Sequence, residues 1–256
     1  MNILAIGDIV GTAGCEFLRE RLPRLKKTES IDLVIANGEN SAEGNGITPV
    51  SADHLLCSGV DVITLGNHAF RRREIYDVLD KSEVIIRPAN YPPKTTPGKG
   101  YMIYDMGRLQ VAVINLIGCM YMNALDDPFS VIDRVLGEIN TKIIILDFHA
   151  EATSEKLAMA YYLDGKISAM FGTHTHVQTA DERIFPKGMG YITDAGMTGP
   201  YDSILGVRSD IVVKKFRDKL PVKFETASGK CKLDCIKFTV DEKSGKTLSV
   251  KRLEIL

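Results

Sequence analysis

The sequence has no apolar run that approaches the roughly 20 residues needed for a membrane-spanning helix. Its first residues, MNILAIGD, enter a predicted apolar strand directly, without the basic region and cleavage site of a secretory signal. These two absences argue against a membrane partner and against export. We therefore expect a soluble protein located in the cytoplasm.

A strong charge of either sign is also absent. The chain carries 32 basic and 33 acidic residues, which gives a formal net charge of -1. This balance creates no global field that would draw the protein to nucleic acid or to a lipid surface. Any anionic substrate must therefore be attracted by local groups, and the charge gives no strong signal for a nucleic-acid partner.

Paired cysteines are missing as well. The five cysteines are an odd number and form no CxxC pair, which argues against a disulfide framework. We expect all five to be reduced residues of the core. Cys231 and Cys235 lie four apart on a predicted strand and should project from one face, and we interpret this as chance spacing.

The sequence does contain an alternation of strands and helices. Apolar runs such as NILAIGD, IDLVIAN and VDVITLGN alternate with amphipathic segments such as CEFLRERLPRL. This order predicts βαβ units and a largely parallel sheet. After about residue 186 the pattern changes to strands and turns, with DIVVKKF as a strand and a hairpin closed around DEKSGK. Without a linker or repeat, residues 1–256 are predicted to form one α/β domain.

Five predicted strands end in residue types that bind metals. The motifs are GD at 7–8, NGEN at 37–40, GNH at 66–68, FHAE at 148–151 and GTHTH at 172–176. Four of the five histidines lie in these motifs, and only His54 lies elsewhere, on a predicted helix. Each motif alone is more often a turn or a cap. Five at successive strand ends indicate one site, because ligands bind at the carboxyl edge of open α/β sheets.

The candidate metal ligands combine carboxylate, imidazole and amide groups. They are Asp8, Glu39, Asn40, Asn67, His149, His174 and His176. This mixture suits manganese, iron or zinc, and seven ligands are too many for one ion, so two ions sharing a carboxylate are predicted. Two-metal sites serve phosphate-ester hydrolysis, because one ion activates water while both polarise the phosphate. On a strand-like HTH segment, His174 and His176 would point the same way.

In order and context these motifs resemble those of the calcineurin-like metallophosphoesterases. The segments GDIVG, NGENSAEGNGIT, TLGNH, RPANYP, DFHAEATSEK, GTHTHVQTAD and ITDAGMTGP resemble one branch in particular, the YmdB-type phosphodiesterases, over nearly the whole chain. This resemblance implies a four-layer αββα sandwich of two mixed β-sheets lying back to back.

The resemblance also implies a role for each candidate residue. One ion would be held by Asp8, Asn40 and His176, and the other by Asn67, His149 and His174. Glu39 would bridge the two ions. His68 would be the catalytic residue, standing near the phosphate and protonating the leaving oxygen.

Two positions depart from the common superfamily pattern. Val10 stands where a GDxH start has histidine, and Asn40 takes its place as in the YmdB-type branch, which gives an oxygen-rich site that favours iron or manganese. Ala69 stands where an acid usually orients the histidine of GNH. The arginines at 71–73 that follow are candidates to help hold phosphate.

Two neighbours of the motifs carry further expectations. The glycine-rich segment 40–49 either cradles a phosphate through its backbone amides or is a plain loop. Asp147 is expected to orient the ring of His149 as a hydrogen-bond acceptor.

The leading functional hypothesis is a metal-dependent phosphodiesterase, and the resemblance points to cyclic nucleotides, 2',3'- or 3',5'-, as substrates. A phosphomonoesterase of the 5'-nucleotidase type shares the same metal cluster and stays open. A regulatory module with a vestigial metal site is disfavoured by the seven ligands, because structural sites are usually closed by four. Apolar positions around LGVRSDIVV permit a homo-oligomer.

Overall fold

Two β-sheets form the frame of the protein, and the computed structural model describes all of residues 1–256. The strands are β1 (Asn2–Ile6), β2 (Asp8–Ile9), β3 (Leu33–Asn37), β4 (Val62–Thr64), β5 (Ile85–Ile86), β6 (Tyr101–Asp105), β7 (Gln110–Ile117), β8 (Ile143–His149), β9 (Ala169–Thr173), β10 (Arg183–Ile184), β11 (Gly190–Ile192), β12 (Met197–Pro200), β13 (Cys231–Val240) and β14 (Thr247–Ile255). The helices are α1 (Gly11–Thr28), α2 (Pro49–Cys57), α3 (Tyr76–Lys81), α4 (Pro128–Glu138), α5 (Thr153–Leu163) and α6 (Ser209–Asp218), and a 3-10 turn at Arg73–Ile75 precedes α3.

Both sheets are mixed, with parallel strands at their centres. The first has the order β2-β12-β13-β1-β3-β4-β5, with β14 paired to β13, and the second has the order β10-β11-β9-β8-β7-β6. The pairs β1/β3, β3/β4, β7/β8 and β8/β9 are parallel, and each is joined through a helix. These are the predicted βαβ units. The predicted hairpin around DEKSGK is the antiparallel pair β13/β14.

Three apolar layers explain how the sheets stack. On β1, Ile3 and Ala5 face the core between the two sheets, whereas Leu4 and Ile6 face the core beneath the helices of the first sheet. Successive strand residues point to opposite faces, so a strand buried on both sides must be apolar throughout. A third core lies between the second sheet and α4 and α5. The order is helices, sheet, sheet, helices, which confirms the predicted four-layer αββα sandwich.

One predicted strand is wrong. The segment DIVVKKF lies in α6 (Ser209–Asp218), which is a helix. Its β-branched residues favour a strand locally, but Asp210 lies in the first turn of this helix and Lys215 and Arg217 lie in its last turn, where their charges complement the helix dipole. Only Val212 of α6 is buried, and the helix ends at Lys219, whose φ of 58° is left-handed.

The cysteine prediction is partly confirmed. All five cysteines are free, and Cys15 and Cys235 are buried as expected, but Cys57 is exposed while Cys119 and Cys231 are half-buried. Cys57 is the last residue of α2, where the helix meets solvent. None of the six helices combines the length and the apolar character that crossing a lipid bilayer requires.

Candidate metal centre

The five strand-end motifs meet at one edge of the sandwich. Asp8 begins β2, Glu39 and Asn40 follow β3, and Asn67 follows β4, all in the first sheet. His149 ends β8, and His174 and His176 follow β9, both in the second sheet. Because the carboxyl ends of parallel strands lie at the same edge, two stacked sheets bring seven side chains that are far apart in sequence into one buried cluster.

One half of this cluster surrounds the Nε2 atom of His149. Asn67 Oδ1 lies 2.9 Å from this nitrogen, His174 Nδ1 lies 3.1 Å from it, and Glu39 Oε1 lies 3.2 Å from it. The ligand atoms of Glu39, His149 and His174 all lie within 4.8 Å of one another. All of these atoms can donate a lone pair to a metal, and the distances between them match the distances between neighbouring ligands of one cation. The donor set of carboxylate, amide oxygen and imidazole fits a divalent metal.

The other half lies around Asp8 and His176. Asp8 Oδ1 is 3.6 Å from His176 Nε2, and the Asn40 amide nitrogen donates to Asp8 Oδ1 at 3.4 Å and to Glu39 Oε1 at 3.2 Å. Glu39 Oε1 therefore contacts both halves, as a bridging ligand would. Asn40 presents its amide nitrogen here, so ligation through its oxygen requires the amide to turn over.

The ring of His149 is oriented through a hydroxyl. His149 Nδ1 donates to Thr173 Oγ1 at 2.8 Å, because that hydroxyl already donates its proton to Asp147 Oδ1 at 2.7 Å. This fixes the tautomer that leaves the lone pair on Nε2. Asp147 therefore helps to orient the ring of His149, as expected, but it does so through the hydroxyl of Thr173, which stands between them. Burial raises the pKa of Asp147 to about 7.

The other two imidazoles also have partners that sequence reasoning missed. His174 Nε2 lies 3.1 Å from Glu151 Oε2, and His176 Nδ1 donates to the carbonyl of Leu205 at 3.1 Å. Glu151 and Thr173 lie inside the FHAE and GTHTH motifs, so the motifs contained a signal for them. Leu205 comes from a distant loop, and no local pattern identifies it.

The charges of the metal-free cluster favour the metal-binding forms of Glu39 and His174, but the protonated form of His149. Burial alone would raise the pKa of Glu39, but His149 and His68 outweigh it and hold that pKa well below its ordinary value. Burial and the neighbouring His149 lower the pKa of His174 to about 4, so its ring is neutral. Burial alone would lower the pKa of His149, but Glu39 and Asp8 raise it to about 9. A metal ion at His149 would therefore displace a proton.

The HTH segment is not strand-like. β9 ends at Thr173, and both His174 (φ 100°) and His176 (φ 63°) have positive φ angles. The prediction that the two rings share one strand face is therefore wrong. Such angles are strained in residues with a side chain and persist only where contacts enforce them.

A buried ion pair enforces this loop conformation. Lys156 Nζ on α5 donates to Asp194 Oδ2 at 2.8 Å and to the carbonyl of Thr173 at 2.9 Å, and both charged side chains are fully buried. Asp194 Oδ2 also accepts from the backbone N–H of Thr175 at 3.1 Å. On the other side, the N–H of His174 donates to Asp8 Oδ2 at 2.9 Å. The loop is thus held on both sides.

His68 lies at the edge of the cluster with its side chain 31% exposed. Its backbone N–H donates to Glu39 Oε2 at 2.7 Å, and its Nδ1 donates to Asn40 Oδ1 at 2.9 Å. Asn40 therefore fills the orienting role that an acid after GNH usually has. Arg72 donates to the backbone carbonyls of Glu43 and Asn45, so this arginine holds the 40–49 loop rather than facing the cluster.

A cavity of about 330 Å³ opens onto the cluster. Glu39, Asn40, His68, His174 and His176 line one end of it, and Ala42, Gly44 and Asn45 of the 40–49 loop also contribute. A larger groove of about 880 Å³ lies against α1 and contains none of the candidate ligands. The smaller cavity is therefore the one positioned for chemistry.

Comparisons with known proteins identify similar chains over the full length of this one. The family described as YmdB-like protein matches residues 4–253. A 2',3'-cyclic-nucleotide 2'-phosphodiesterase from Bacillus subtilis (strain 168) is 47% identical over 257 residues, covering 100% of this chain and 97% of the relative. A hypothetical protein from Thermus thermophilus superposes with a TM-score of 0.94 at 40% identity, covering 100% of this chain and 99% of the other. A novel phosphatase from Mycoplasma pneumoniae gives a TM-score of 0.94 at 32% identity, covering 100% and 93%.

Proposed function

Because the chain belongs to the YmdB-like family, a group with the metallophosphoesterase fold, we propose that it is a metal-dependent phosphodiesterase that hydrolyses 2',3'-cyclic nucleotides. The observation that carries the chemistry is the convergence of Glu39, Asn67 and His174 on His149 Nε2 within 3.2 Å. The name of the Bacillus subtilis relative supports the 2',3'-cyclic substrate over the 3',5'-cyclic one.

The family implies divalent metal ions, and we assign two, iron or manganese, to the cluster. Asp8, Asn40 and His176 would hold one, Asn67, His149 and His174 would hold the other, and Glu39 would bridge them. When bound, these ions would supply Lewis-acid activation of water and neutralise charge on the phosphate. The amide oxygens and carboxylates support the preference for iron or manganese over zinc.

Side chains of the protein supply proton transfer and orientation. His68 lines the cavity, and its Nδ1 proton is engaged by Asn40 Oδ1 at 2.9 Å. Ligation of an ion through the Asn40 oxygen would break this contact, and the freed imidazole of His68 would deliver a proton to the leaving oxygen. Thr173 and Leu205 hold the protons on the Nδ1 atoms of His149 and His176, so that both present Nε2 to the cluster.

Three broader assignments accompany this function. We propose that residues 1–256 form a single metallophosphoesterase domain, supported by the family match to residues 4–253 and by the core shared between the sheets. Action in the cytoplasm on a small substrate stays a prediction from the sequence, and the sequence permits a homo-oligomer without requiring one.

A phosphomonoesterase activity is the second candidate, favoured by the name of the Mycoplasma pneumoniae phosphatase. The test compares bis-p-nitrophenyl phosphate with p-nitrophenyl phosphate, using manganese-loaded protein, a chelated sample and an Asp8→Ala variant as controls. Chelator-sensitive cleavage that favours the diester supports the proposal. A preference for the monoester would replace it with the phosphatase, and no turnover despite bound metal would indicate a regulatory module.

A further inference from the structure

A long segment between β12 and β13, residues 201–230, covers one side of the metal centre. The carbonyl of Leu205 accepts from His176 Nδ1 at 3.1 Å. Further along, Thr226 Oγ1 donates to Glu43 Oε2 at 3.0 Å, and Glu43 in turn accepts from the N–H of Thr12 at 3.0 Å. The segment is therefore tied to a candidate metal ligand at one point and to the 40–49 loop at another.

This segment gives the cavity an apolar wall. Leu205, Val207 and Phe224 of this segment line the 330 Å³ cavity, as does Val10. Phe224 is 42% exposed, although an aromatic side chain gains free energy when it is covered. The cavity is thus lined both by candidate metal ligands and by an apolar wall that contains one exposed aromatic ring.

Two polar side chains accompany this wall: one contacts Phe224, and the other lines the same cavity. The ammonium of Lys215 on α6 lies 4.5 Å from the centroid of the Phe224 ring, which is a cation–π contact that restrains the ring. Asn45 also lines this cavity, and its Oδ1 atom is shielded from solvent without a hydrogen-bond partner. A buried acceptor without a donor costs free energy, and rotation of the Asn45 side chain toward the cavity would let a donor on a bound molecule satisfy it.

We propose that the apolar wall of this cavity is the subsite for the nucleobase of the substrate, with Phe224 as its stacking surface. The inference rests on the proposed function, because it assumes that the phosphate lies at the metal cluster. A base presents a flat π face to Phe224, and its edge or the attached ribose carries N–H or O–H donors for Asn45. Every base has such a face, so this contact would favour nucleotides over other diesters without strong preference among the bases.

The test compares two substrates with the same five-membered cyclic phosphate, adenosine 2',3'-cyclic phosphate and glycerol 1,2-cyclic phosphate, which lacks a base. The measured quantity is the ratio of kcat/KM for the first over the second. In Phe224→Ala this ratio should fall by about 5- to 140-fold, which is a stacking energy of about 1–3 kcal/mol at 1.4 kcal/mol per tenfold. Phe224→Tyr should keep the wild-type ratio.

The matched control is Phe216→Ala, because Phe216 is also an exposed aromatic of the same segment, at 66%, but does not line the cavity. It should leave the ratio unchanged. If Phe224→Ala leaves the ratio unchanged, or lowers both rates equally, the subsite is wrong while the phosphodiesterase stands. If the metal-loaded wild type hydrolyses neither substrate, the proposed function fails and this inference fails with it.

Discussion

Gly66 lies directly against the imidazole of His149, and this contact makes a sharp test of the site. A Cβ atom built on Gly66 would overlap the ring and lie 2.5 Å from His149 Cε1. Non-bonded carbon atoms in contact are about 3.5–4.0 Å apart, so the His149 ring must move by roughly 1 Å in Gly66→Ala. It cannot retreat freely, because Thr173 holds its Nδ1 at 2.8 Å.

The expected effects are large on activity and moderate on stability. Forcing a methyl group into a packed site costs about 1–3 kcal/mol, whereas a displacement of about 1 Å at a reacting centre costs on the order of 100-fold in rate. We therefore expect Gly66→Ala to remain folded in urea titrations while kcat/KM falls by roughly 100-fold and metal binding weakens in calorimetric titration.

Gly137→Ala is the matched control. Gly137 is an exposed residue of α4, and a Cβ atom there would meet nothing within 4 Å. Alanine should stabilise that helix by roughly 0.5–1 kcal/mol and leave activity unchanged. If Gly66→Ala keeps wild-type activity and metal affinity, the position of the His149 ring against Gly66 does not matter for metal binding. That result would refute the assignment of His149 as a metal ligand at this position.

Three further substitutions probe how the site is held. Lys156→Met leaves Asp194 buried without its partner and should lower the free energy of unfolding in urea by about 3–5 kcal/mol. The double variant with Asp194→Asn should recover part of this loss. If the losses of the two single variants simply add in the double variant, the pairing is contradicted. Thr173→Val removes the acceptor for His149 and should weaken manganese binding by about 10–100-fold in calorimetry, so unchanged affinity would count against that role. His68→Ala should slow hydrolysis of adenosine 2',3'-cyclic phosphate by about 10²–10⁴-fold but affect bis-p-nitrophenyl phosphate much less, since p-nitrophenolate leaves without a proton; equal losses would remove His68 as the acid.

The layers of the fold follow from the sequence because strands buried on both faces are largely apolar, as in ILAI of β1 and IIIL of β8. The helix α6 escaped prediction for the opposite reason. Its residues Ile211, Val212 and Val213 favour a strand locally. The acidic first turn and the basic last turn of the same segment complement the helix dipole, and the structure shows a helix.

The candidate ligands could be identified from the sequence because the carboxyl ends of parallel strands lie at the same edge of a sheet. This holds even when other strands separate them along the chain. Their fine geometry was not. The left-handed backbone at His174 and His176 depends on Lys156 and Asp194, which are 38 residues apart in the chain. The position of Thr173 between His149 and Asp147 depends on the register of β8 and β9. Contacts of this kind appear only after the two sheets have stacked.

The central claim is that the buried cluster uses metal ions to open a 2',3'-cyclic phosphodiester. Phosphorus NMR of adenosine 2',3'-cyclic phosphate, incubated with manganese-loaded and with chelated protein, tests it most directly. We predict conversion to adenosine 3'-phosphate by the loaded protein alone, because cleavage at the 2' oxygen leaves the phosphate on the 3' oxygen. An unchanged cyclic signal with metal demonstrably bound, or equal conversion after chelation, would contradict the claim.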